Sequence, residues 1–70
     1  MTIAFIDSVH PLLAEKLTAA GHSCIDLHTA SDAELRHQLS DVEGIVVRSR
    51  QLGEEVLSHA PRLRVVGRVG

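Results

Sequence analysis

Short β-branched and apolar runs alternate along the chain with stretches whose apolar positions recur at helical spacing. That alternation is the pattern of βαβ units wound around a parallel sheet. Thr2 to Ile6 reads as a first strand, ended by Asp7 and Ser8. Pro11 suits a first helical position, where its missing N–H costs nothing. Leu13, Leu17 and Ala20, with Leu12 alongside, then give i, i+4, i+7, and Gly21 supplies the stop. Ser23 to Leu27 reads as a second strand, and its Asp26 suggests a sheet edge. Ser31, Asp32, Ala33 and Glu34 match a capping box, in which Glu34 reaches back to the Ser31 amide. Leu35, Leu39 and Val42 continue that helix, expected from Asp32 to about Ser40 or Asp41, and Gly44 turns into the next strand.

Gly44 to Val47 is continuously apolar, as a strand covered on both faces should be, and belongs at the sheet centre. Leu52, Val56, Leu57 and Ala60 predict a third helix cut by Pro61, and Arg64 to Gly67 predict a fourth strand. The expectation is therefore an α/β, flavodoxin-like parallel sheet, β-α-β-α-β-α-β in the order 2-1-3-4, because right-handed crossovers allow few others. The fourth strand lacks a covering helix within the chain. Residues 1–70 are accordingly expected to be the N-terminal part of a larger domain, and a sharp melt well above ~60 °C for the isolated chain would count against this.

Composition narrows the function. The chain has 70 residues, 44% of them hydrophobic and 23% charged, with a formal net charge of −2. Phe5 is its single aromatic residue, so stacking platforms for bases are missing, and the charge offers no general attraction to nucleic acid or an anionic membrane. One cysteine, Cys24, makes no intrachain disulfide, which favours a reducing cytoplasm. No apolar run approaches the ~18 residues of a membrane span. The charge is uneven: Arg48, Arg50, Arg62, Arg64 and Arg68 fall in the last third against only Glu54 and Glu55.

In open α/β sheets, ligands bind beyond the carboxyl ends of the strands where the winding reverses, here between strands 1 and 3. Asp7, Ser8 and His10 lie there after strand 1, Arg48, Ser49 and Arg50 after strand 3, and Arg68, Val69 and Gly70 after strand 4. Arg48 and Arg68 can grip a carboxylate or phosphate bidentately, Ser49 can donate, and Gly70 lets backbone amides approach. Arg50, Arg62 and Arg64 read as solvated charges. His10 either enters the first helix or borders the ligand. The five histidines show no metal-ligand pairing, and Cys24 reads as packing within a strand. Neither GxGxxG nor GxxxxGK occurs, and no set of acid, base and nucleophile assembles, so no catalytic residue is assigned.

Gly44 to Ser49, then Ala60-Pro61-Arg62-Leu63, then Arg64 to Gly70, together with the opening Ile3 to Leu12 and Ala20-Gly21-His22, resemble the start of the D-isomer-specific 2-hydroxyacid dehydrogenases. The likeness is greatest to their D-3-phosphoglycerate dehydrogenase branch. It implies a substrate-binding domain whose chain continues into a Rossmann domain holding NAD, in a cytoplasmic parent that is at least a homodimer. It also implies that Arg48, Ser49, Arg68 and Gly70 border a small carboxylate- or phosphate-bearing substrate. The family's cofactor glycines, substrate arginine and glutamate-histidine pair lie past residue 70, so the chain alone is expected to be inactive. Arg50, where small residues are common, and Leu52-Gly53 depart from the pattern and leave the substrate open. The competing readings are a small non-catalytic binding module and a receiver-like domain, although Arg48 stands where a receiver needs its phosphoacceptor aspartate.

Overall fold

A computed structural model describes residues 1–69 of the chain. Its elements run β1 (Thr2–Phe5), α1 (Pro11–Ala19), β2 (Ser23–Asp26), α2 (Asp32–Gln38), β3 (Gly44–Val47), α3 (Glu54–Leu57) and β4 (Val65–Arg68). The strands form one parallel sheet in the order β2-β1-β3-β4, the flavodoxin-like arrangement that the alternation implies. Ladder bonds extend past the strand ends: Ile6 donates to Val46, Leu27 to Phe5 and Val69 to Val47.

The register sorts the apolar residues between two faces. Ile25, Ala4, Ile45 and Val66 share one row, while Cys24, Ile3, Gly44 and Val65 share a row on the other. Ala4, Ile6, Ile45 and Val47 pack with Leu35, Leu39, Val42, Val56 and Ala60 in a single buried cluster. The helix α1 packs against β2. Right-handed crossovers that run first one way and then the other along a sheet place their helices on opposite sides. None of the residues of α1 is fully buried: Leu13, Ala14 and Leu17 are half-buried, and Ala20, expected in its stripe, is exposed. Val65 and Val66 on β4 are 50% and 47% exposed, so the fourth strand is indeed uncovered.

Three helix details differ from the sequence pattern. α2 ends at Gln38, so the buried Val42 sits in the following turn and not in the helix. Ser31 caps it through its Oγ, which accepts the Glu34 N–H at 3.2 Å, but the Glu34 carboxylate takes the Ser31 hydroxyl at 3.3 Å and not the Ser31 amide. α3 is a single turn. Leu52 lies before it and Ala60 after it, because the preceding residues are held in a loop at the sheet edge and Pro61 prevents extension.

The end of α1 follows local rules. Gly21 takes φ +95°, with Gly21 N–H donating to Thr18 and His22 N–H to Leu17, the bond pair of a Schellman motif. Gly44 serves a different need. A Cβ there would come within 3.3 Å of Ile3 Cγ1 and 3.4 Å of Val65 Cγ1. Gly21→Ala is expected to cost about 1 kcal/mol through backbone strain alone, since a Cβ there meets nothing within 4 Å. Urea unfolding of the two forms checks this.

Candidate functional site

The carboxyl edge of the sheet brings the β1–α1 and β3–α3 loops together. β1 and β3 are neighbours, so Asp7, just past β1, faces Arg48, Ser49 and Arg50, just past β3. One oxygen of Asp7, Oδ2, accepts three consecutive backbone N–H groups: Arg48 at 2.6 Å, Ser49 at 3.0 Å and Arg50 at 2.9 Å. The Arg50 amide and then the Arg48 amide hold the carboxyl below its ordinary value; desolvation opposes them, and the Ser49 amide and the Arg48 charge add to them.

The side chains around this contact divide their tasks. Arg50 donates through Nη2 to Asp32 Oδ1 at 2.8 Å and through Nη1 to the Ile6 carbonyl at 3.4 Å. With its side chain 20% exposed it ties the loop to α2, which corrects its reading as a solvated charge. Arg68 donates from Nη1 to the Arg48 carbonyl at 3.1 Å. Arg62 is exposed and 3.9 Å from Asp41, as a solvated charge should be. Among the described residues, no carboxylate pairs with the Arg48 guanidinium.

Two clefts flank the β1–α1 loop. One, of about 470 Å³, is lined by Ser8, Val9, His10, Leu13, Arg48 and Val69. The other, of about 270 Å³, lies toward β2 and includes Asp7, His10, Asp26 and His28. His10 borders both and also caps α1, its Nδ1 accepting the Leu12 N–H at 3.1 Å. The expected group is therefore only partly convergent. Arg48 lines the larger cleft; Ser49 is exposed beside it, and Arg68 reaches the site through the Arg48 carbonyl. Gly70 lies outside the described residues. Among those residues, no three His, Cys, Asp or Glu side chains are grouped to hold a metal ion, and no helix is long and apolar enough to cross a membrane.

His28 Nδ1 lies 2.6 Å from Asp26 Oδ1, and this side-chain bond, followed by the His28 backbone N–H, lowers the Asp26 pKa. Asp7 and Asp26 thus both titrate below the usual 3.8. A carboxyl depressed by folding stabilises fully above its unfolded value and loses that contribution as pH falls through the folded one. The unfolding midpoint should therefore owe no change to these two groups at neutral pH and begin to fall only below about pH 4. A titration of stability from pH 7 downward, compared with Asp7→Asn, checks this.

Residues 3–70 match the profile of the D-isomer specific 2-hydroxyacid dehydrogenase catalytic domain. The chain is 37% identical to the D-3-phosphoglycerate dehydrogenase of Sus scrofa over 65 residues, which is 91% of this chain and 12% of that protein. It is 35% identical to that of Rattus norvegicus over 69 residues, 97% of this chain and 13% of the relative. For the Homo sapiens protein the identity is 35% over 65 residues. The chain thus spans 12% to 13% of the length of these relatives.

Proposed function

The chain belongs to the D-isomer specific 2-hydroxyacid dehydrogenase family, matching its catalytic domain, and from that premise we propose that it is the N-terminal part of the substrate-binding domain of an NAD-dependent oxidoreductase. The parent interconverts a D-2-hydroxy acid and its 2-keto acid. The names of its relatives make 3-phosphoglycerate the leading substrate. One observation carries the local part of this reading. The Arg48 guanidinium has no carboxylate partner among the described residues and lines a cleft at the carboxyl edge of the sheet. A fixed cation so placed binds carboxylate or phosphate bidentately, and the exposed Ser49 hydroxyl adds a donor.

The chain's own residues do not suit the dinucleotide. The β1–α1 turn is Asp7-Ser8-Val9-His10, without the glycines that let a pyrophosphate approach, and the His10 ring already takes the Leu12 N–H at the start of α1. NAD is assigned to residues outside this segment, and the proton and hydride chemistry with it. This segment binds and orients the anionic end of the substrate; the parent works in the cytoplasm as a homodimer or larger assembly. Incubating the full-length protein with D-3-phosphoglycerate and NAD should produce NADH, whereas residues 1–70 alone should produce none. A folded full-length protein that oxidises no D-2-hydroxy acid would sink the proposal.

A further inference from the structure

We propose that Asp7 is a positioning residue for substrate binding: its carboxylate organises the Arg48–Arg50 backbone and thereby aims the Arg48 side chain into the cleft. The inference rests on the anion-binding reading of Arg48 given above. Three consecutive amides pointing at one spot form a concave nest, the kind of arrangement that elsewhere binds a phosphate. Here Asp7 Oδ2 fills it, at 2.6, 3.0 and 2.9 Å. The nest is therefore closed to an incoming anion, which must meet the Arg48 side chain instead. The backbone of Arg48 is tied at both polar groups, its N–H to Asp7 and its carbonyl to Arg68 Nη1. Arg50 is fastened to Asp32 and Ile6. Among the described residues, Arg48 thus has its side chain unpaired and its backbone fixed.

Secondary structure does not order this stretch. Residues 48–53 belong to no helix or strand, and Gly53 begins α3 without a side-chain cap. Loss of the carboxylate would release three amides at once and let the guanidinium wander. With Oδ2 taking three backbone donors, Asp7 is suited to hold the loop.

The test is steady-state kinetics of the full-length enzyme with D-3-phosphoglycerate and NAD, comparing Asp7→Ala, Asp7→Asn, Arg48→Ala and the Asp7→Ala/Arg48→Ala double variant. Asp7→Ala should raise KM about 10-fold with kcat nearly unchanged, because the lost interaction is made in binding. Asp7→Asn keeps an oxygen acceptor and should recover most of this, leaving KM up about 3-fold. In the Arg48→Ala background, Asp7→Ala should add almost nothing, since both act through one group. A lower melting temperature with unchanged KM makes Asp7 a brace only and overturns the inference, as does a double variant whose effects multiply. If Arg48→Ala raises KM and Asp7→Ala does not, the inference falls while the anion site stands. If Arg48→Ala leaves KM unchanged, the anion-site reading falls and takes the inference with it. Should Asp7→Ala fail to fold, an Asp7→Asn enzyme with unaltered KM overturns it.

Discussion

Replacing Arg48 by alanine in the full-length enzyme is expected to lower kcat/KM by about 10- to 150-fold, or roughly 1.5 to 3 kcal/mol for a lost charge-assisted bond. The reason is that the two neighbouring arginines are already engaged. Arg50 already serves Asp32 and the Ile6 carbonyl, and Arg68 is held at the Arg48 carbonyl, so neither can swing across without breaking its own contact. Arg48→Lys should recover only part of the loss, because an ammonium keeps the charge and loses the planar fork. Kinetics on substrates with and without a phosphate would tell which anion Arg48 meets: a loss confined to the phosphorylated substrate assigns the phosphate, and an equal loss assigns the carboxylate. Unchanged kinetics would remove Arg48 from the site.

Leu39→Ala should be strongly damaging, at about 2 to 5 kcal/mol of unfolding free energy. Leu39 is completely buried at the end of α2, inside the cluster that joins Ala4, Ile45 and Val56. Its removal opens a cavity against the sheet face that carries β1 and β3, the two strands that deliver Asp7 and Arg48. Leu39→Met, nearly volume-conserving, should cost under ~1.5 kcal/mol. Leu12→Ala provides the contrast. Leu12 is 47% exposed on α1, so its truncation should stay within about 0.5 kcal/mol. Urea titrations of the three variants decide the order; a Leu39→Ala cost no larger than that of Leu12→Ala would contradict the packing described here.

The elements were legible because their causes are local. Pro11 and Gly21 bracket α1, Ser31 caps α2, and the unbroken Gly44 to Val47 run marks the interior strand that sits between β1 and β4. Topology followed from handedness, and with it the edge at which Arg48 and Arg68 would be found. The short α3 was not legible, because Leu52 and Ala60 are spaced for a helix and pack on the core from the loops beside it. Burial rewards an apolar side chain whether or not its backbone is helical.

Asp7 and Arg50 mark the boundary of sequence reading. Strand order places both at the carboxyl edge, but no local pattern gives Asp7 a role and Arg50 reads as a solvated charge. The available signal was an aspartate directly after β1, facing the end of β3 in this strand order. Its partners lie 41 to 43 residues away along the chain. The amino-acid order alone determined the period of each segment, the helix boundaries set by caps and prolines, and hence the sheet order, since each depends on groups a few residues apart. Which arginine stays free and which is tied down was decided only in the tertiary structure. That choice depends on ångström-scale distances between two loops, set by the β1–β3 register and absent from any local pattern.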